Sequence, residues 1–188
     1  MFFHASPVEG IKILEPRVSN HNIPLIYFSS KRENVLVYLS NAVEKYCRET
    51  GYEYTGKWHK WGSYGFTQDG VLRLEEYYPN ATMDTYKGVS AYIYSVSSIM
   101  DIKKLDEIPF AYISNHSVAV ENGEYIADAY EAIMQAVTDG KIILEKYEDI
   151  SPGKKKWIEN TMIQEYGDSQ TTDEYRHFLK GKFPFILS

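Results

Sequence analysis

Five histidines, one cysteine and 26 acidic residues are the groups in this 188-residue chain that could ligate a metal or move a proton. His4, His21, His59, His116 and His177 are scattered, and none is spaced four residues from another along a helix. Cys47 has no second cysteine to share a metal with. The chain is therefore expected to hold no metal. It has no G-x-x-x-x-G-K-[ST] loop and no G-x-G-x-x-G after a strand, so phosphate-loop and dinucleotide-fold chemistry lack their glycines. It has no G-x-S-x-G elbow for a serine nucleophile. Cys47 falls on the apolar side of a helical pattern and reads as a structural thiol. What remains is a pair of strand ends, His4–Ala5–Ser6 and Tyr27–Phe28–Ser29. A histidine there can bond ribose hydroxyls, a small neighbour lets backbone approach a planar amide, and an aromatic can stack on a flat ring. On residue type and spacing alone, a structural histidine and a core tyrosine are the simpler reading.

The elements that must position these residues follow from hydrophobic period. Phe2–Phe3–His4 reads as a strand stopped by Ser6–Pro7, and Leu25–Phe28 as a second, buried strand. Ser30 and Glu33 form a capping box. Val35, Leu36, Leu39, Val43, Tyr46 and Cys47 then recur at helical spacing until Gly51, which predicts one helix over about 31–50. Residues 52–70 mix aromatics with glycines. They read either as a mobile lid, with Trp58, Trp61 and Tyr64 as stacking faces and Lys57, His59 and Lys60 as local charge, or as a hairpin covering a sheet edge. Asp69–Gly70 is a turn signal. Strands are expected from Val71 to Tyr78, over 91–96, and once or twice between Ala111 and Val120. Helices are expected over 126–137, from Ser151–Pro152 to Gly167, and from the Thr171/Glu174 box to Gly181. The fold class is α+β, with a main domain over 1–150 and a helical C-terminal extension over 151–188.

Composition bounds the rest. A net charge of −6 argues against nucleic acid as the main partner. A single cysteine excludes an internal disulfide. The start MFFHASPVEG lacks a basic leader, and no apolar run approaches the roughly 20 residues that span a bilayer, so a cytoplasmic, membrane-free setting is expected. Seventeen tyrosines are many for this length, and they suit half-wet surfaces. Lys154–Lys155–Lys156 reads as a solvated helix start.

His4–Ala5–Ser6 resembles the H-G-[TS] motif of the ADP-ribosyltransferase superfamily, in its diphtheria-toxin-like and poly(ADP-ribose) polymerase branch. Ile26–Tyr27–Phe28–Ser29, leading to a helix with Tyr38, resembles that branch's G-x-Y-F-[AS] motif. The short interval between them resembles the small bacterial members. The resemblance implies a split β-sheet core with flanking helices, and NAD as substrate in a cleft between two small sheets. It implies that His4 bonds a ribose hydroxyl, that the Ala5 backbone holds the nicotinamide amide, and that Tyr27 stacks on the nicotinamide ring. Ser6 and Ser29 would be supporting polar groups. The family's third element is a glutamate at the start of a late strand. The best register sets it against Asn115–His116–Ser117–Val118–Ala119, which places His116 where the glutamate should stand. Glu121 or Glu124 would substitute in another register, and Glu75 and Glu76 are further candidates. The implied function is transfer of ADP-ribose from NAD to an acceptor. The alternatives are a non-catalytic nucleotide- or protein-binding domain, and an NAD glycohydrolase.

Overall fold

The computed structural model describes residues 1–18, 23–56, 61–169 and 172–187. It is a mixed α+β chain. In order, the strands and helices are β1 (Phe2–Ser6), β2 (Ile13–Leu14), β3 (Arg17–Val18), β4 (Pro24–Ser29), a 3-10 helix (Arg32–Leu39) and α1 (Ala42–Thr50). There follow β5 (Ser63–Phe66), β6 (Leu72–Glu75), α2 (Ala81–Tyr86), β7 (Ala91–Val96), β8 (Lys103–Lys104), β9 (Ala111–Ser114), β10 (Val118–Ala119) and β11 (Asn122–Ile126). The chain ends with α3 (Ala129–Thr138), β12 (Ile142–Glu145), α4 (Pro152–Asp168), α5 (Asp173–Lys182) and a second 3-10 helix (Pro184–Leu187). Among the described residues no helix is long and apolar enough to cross a membrane.

The chain divides into two compact units. The first holds Met1–Leu39, Phe66–Leu72 and Gly88–Ile143, and the second Ser40–Gly65, Arg73–Lys87 and Leu144–Ser188. Helices α4 and α5, read from the sequence as an extension over 151–188, lie in the second unit together with α1 and α2.

The first unit is built on an antiparallel sheet of order β11-β7-β1-β4-β9-β8, with β3 paired to β4. Alternation along each strand gives the sheet two apolar faces. On one, Ile26, Phe28 and Val96 pack with Leu14 and Val118 of the small β2–β10 sheet. The other carries Ala91, Ile93 and Ile126, all buried. The first 3-10 helix packs on β1, β4 and β7 and is itself packed by α3, whose Ala129, Ile133 and Ala136 are buried. The Asp128 carboxylate caps α3 by accepting from Tyr130 and Glu131 backbone N–H groups.

The second unit centres on aromatics. Trp61 is only 7% exposed. Its ring lies 5.5 Å from those of Phe178 and Phe183 and 6.0 Å from Tyr77. Ala42, Val43, Cys47, Ile158, Met162 and Leu179 complete this core. Gly181 of α5 faces the Tyr46 ring of α1: a Cβ there would clash with the Tyr46 hydroxyl, and that ring would have to shift. β5, β6 and β12 form a three-stranded sheet of order β12-β6-β5.

Several expected elements differ. The helix predicted over 31–50 is a 3-10 helix to Leu39 and an α-helix from Ala42, broken at Ser40–Asn41. Four consecutive residues, Asn34–Val37, are buried, so the segment is enclosed all round and one apolar stripe does not dictate its path. Glu33 does not serve the capping box, because its carboxylate is ion-paired to Lys141. The strand expected to run to Tyr78 ends at Glu75, and helix α2 follows Asn80, which takes a left-handed φ of 60°. The helix expected from Ile126 begins at Ala129, because Ile126 belongs to β11. Gly167 and Gly181 lie inside α4 and α5 rather than closing them. Thr171 of the expected last capping box lies outside the described residues.

Candidate functional site

The strand ends singled out in the sequence both fall in the first unit. β1 and β4 share one register pair, Phe3 with Ser29. Past it the strands part, and a side chain takes over: His4 Nδ1–H donates to the Tyr27 carbonyl at 2.8 Å. A carbonyl only accepts, so the proton sits on Nδ1, and in the neutral ring Nε2 is the acceptor. His4 thus ties two neighbouring strands where their ladder stops.

Register decides which side chains share a face. Residues paired across antiparallel strands point the same way, and neighbours along a strand alternate. Phe3 pairs with Ser29, so Phe3, Ala5, Tyr27 and Ser29 share one face. His4 points to the other, where its ring lies 5.9 Å from that of Phe28 and where Tyr94 is its partner on β7. A ligand served by both His4 and Tyr27 side chains must therefore lie where β1 and β4 part, not on either face. Tyr27, Ala5 and His4 are half-buried.

The supporting serines have local duties. Ser6 Oγ accepts from Val8 N–H, and buried Ser29 Oγ accepts from Lys31 N–H, each shaping the turn after its strand.

The third element divides among the candidates. His116 is exposed and stands in a turn fixed by Ser114, whose hydroxyl accepts from His116 N–H and donates to His116 C=O. Ser114 is the register partner of Ile26, which points away from the Tyr27 face. Glu121 lies beyond the Asn122–Ser95 pair, where its carboxylate accepts from Ser97 Oγ at 2.6 Å. That bond holds it below the usual carboxylate range. Register puts Glu121 beside the Phe2 end of β1, three rows and roughly 10 Å along the strands from Ala5. Neither His116 nor Glu121 is brought to the Ala5–Tyr27 face.

Glu124 is. It pairs with Ile93, and Ile93 pairs with Ala5, so Glu124, Ile93 and Ala5 form one row on that face. Arg32 grips its carboxylate with both ends of the guanidinium fork, Nε to Oε2 at 2.8 Å and Nη2 to Oε1 at 2.6 Å. Neighbouring carboxylate raises the Arg32 pKa. β11 was not legible as a strand, since four of its five residues are exposed and no apolar alternation marks it.

The remaining candidates are structural. Glu76 is buried, and its carboxylate accepts from Thr82 and Tyr147 N–H groups. Glu75 is ion-paired to Arg73 at 2.6 Å and Lys154 at 3.1 Å. Cys47 is fully buried, and burial pushes its thiol pKa up, as an unreactive core thiol requires. Of the 52–70 segment, Trp61 is a core residue and Ser63–Phe66 is strand β5; Lys57, Trp58, His59 and Lys60 lie outside the described residues. A cavity between Trp61, Ser63, Glu75 and Thr82 measures about 10 Å³, room for one water at most. Among the described residues, no three His, Cys, Asp or Glu side chains gather as a metal site needs. No protein-family model, curated protein or solved structure matches this chain.

Proposed function

We propose that the chain binds NAD where β1 and β4 part and transfers its ADP-ribosyl group to an acceptor. The observation that carries this reading is the His4–Tyr27 tie at 2.8 Å. It fixes an imidazole tautomer whose Nε2 accepts from a ribose hydroxyl. It joins the two half-buried strand ends that carry Ala5 and Tyr27. In the reaction the bond from ribose carbon to nicotinamide nitrogen breaks. Its electron pair goes to the nitrogen, which loses its positive charge. An acceptor hydroxyl or amine, or water, forms the new bond to carbon and releases its proton to solvent. Positive charge develops on the ribose in between and favours a fixed carboxylate nearby. Among the candidates Glu124 shares the Ala5 row, two strands away on β11, and is assigned that role.

A second reading is a nucleotide- or protein-binding domain without turnover. It is favoured by the opposite directions of the His4 and Tyr27 side chains and by the histidine at position 116. One experiment separates the two: nicotinamide release from NAD, measured beside the NAD-induced shift in melting temperature, for the wild type and Tyr27→Ala. Release abolished in Tyr27→Ala supports the transferase, and release in buffer alone makes water the acceptor. A thermal shift without release supports the binding domain. The absence of both shift and release refutes the transferase and any binding of NAD.

A further inference from the structure

We propose that β11 is an open docking edge that takes an extended, basic segment of a partner protein as one more strand of the sheet. Such docking is independent of NAD. The sheet ends in two strands of opposite character. At one end, β8 is two residues long, and both are exposed lysines, Lys103 and Lys104. A short edge that carries lysine is how a sheet turns away an incoming strand. At the other end, β11 lacks that guard. It is five residues long and has no proline. Its register with β7 runs unbroken from Asn122–Ser95 to Ile126–Ala91, so no bulge bends the strand away.

Alternate residues of an antiparallel strand direct their N–H and C=O groups to opposite sides. Half of the β11 backbone therefore faces away from β7, and among the described residues nothing bonds to it there. Asn122, Gly123, Glu124 and Tyr125 are all exposed. Glu124 is the one charge within the strand, and Arg32 neutralises it through two bonds, so it does not repel an incoming chain. Tyr125 is 58% exposed, with its ring 5.3 Å from that of Tyr92. It stands ready as a cross-strand neighbour for a β-branched or aromatic residue. Charge selects the occupant. From Leu105 to Gly140 the chain carries seven acidic residues and no lysine or arginine. Glu121 and Asp128 flank β11, and Glu131 follows in the first turn of α3. In antiparallel self-pairing centred on Glu124, Glu121 would lie beside Asp128 of the second copy at both ends, and like charges oppose that pairing. A basic segment meets the same acids favourably. Its main-chain bonds supply affinity, and its alternate side chains supply specificity.

The test uses the full chain and three fluorescent peptides. The first alternates valine and threonine between lysines. The second has glutamate for each lysine, and the third has proline for each valine, which removes backbone donors. Fluorescence anisotropy reads affinity, hydrogen exchange locates the contact, and sedimentation velocity gives the oligomeric state. The lysine peptide is expected to bind at least about tenfold more tightly than either control, and to slow exchange of amides within 122–126. Asn122→Lys and Tyr125→Lys give β11 the guard that β8 has. Each should weaken that peptide by about tenfold while melting stays within a few degrees. Equal binding of the glutamate or the proline peptide overturns the proposal. So does protection outside 122–126, or affinity unchanged in both lysine variants. No binding of any peptide up to about 1 mM overturns it as well. A dimer of the wild type that Tyr125→Lys dissolves makes the occupant a second copy, which also overturns it.

Discussion

Replacing His4 separates its two nitrogens, because two amide side chains imitate them one at a time. Asparagine places its amide N–H near the position of Nδ1, and glutamine places its own near Nε2. His4→Ala removes the donor that reaches the half-buried Tyr27 carbonyl. Such a loss costs about 1–2 kcal/mol. For a chain of this size that is roughly 2–8 °C of melting temperature. His4→Asn is expected to keep most of this stability yet lose NAD affinity by about tenfold, since the tie survives and the ribose acceptor does not. His4→Gln is expected to lose stability like alanine. The assay is a urea or thermal melt of the three variants, paired with NAD titration. If asparagine and alanine melt alike, the Nδ1 tie does not hold the strands. If asparagine binds NAD as the wild type does, Nε2 plays no part in binding and the proposed pose is wrong.

Gly181→Ala should destabilise by about 1 kcal/mol, as the clash with the Tyr46 ring outweighs the gain in helix propensity. Adding Tyr46→Ala should remove that penalty, read as a coupling in a double-mutant cycle of urea melts. Trp61→Ala should cost about 3–5 kcal/mol by emptying the aromatic core, and calorimetry should show the second unit melting early. Burial, and then Lys180, hold His177 below the usual imidazole pKa of 6.5. The unfolded chain therefore takes up this proton first as pH falls. Stability contributed by His177 is full above that value and declines below it. His177→Gln, which can still bond Thr50, should flatten the loss of stability on acidification below about pH 6.5.

The α+β class and strands β1, β4, β7, β9 and β10 of the first unit were legible, because segments such as Leu25–Phe28 and 91–96 are dense in β-forming residues between clear turn signals, whereas the two-residue strands β2, β3 and β8 were not. β11 was not, since an exposed edge strand carrying Asn122, Gly123 and Glu124 has no buried face to write into its sequence. The break at Ser40–Asn41 was hidden by an apolar pattern that continues through it; only tertiary packing distinguishes a 3-10 segment buried all round from one amphipathic helix. For the site, His4 and Tyr27 could be chosen by type, but their opposite directions depend on which residue of β4 meets Phe3. No spacing along one strand contains that register. The same holds for Glu124, which reaches the Ala5 row only through two successive strand pairings.

The burial of Cys47 gives the molecule an internal clock. It is the only cysteine, and it lies fully buried in the core of the second unit. A thiol-alkylating reagent can reach it only when that core opens. The rate of labelling in the folded protein therefore counts openings of the second unit alone, with no thiol in the first to confuse the signal. Followed with and without NAD, it reports whether the proposed ligand changes how often that aromatic core comes apart.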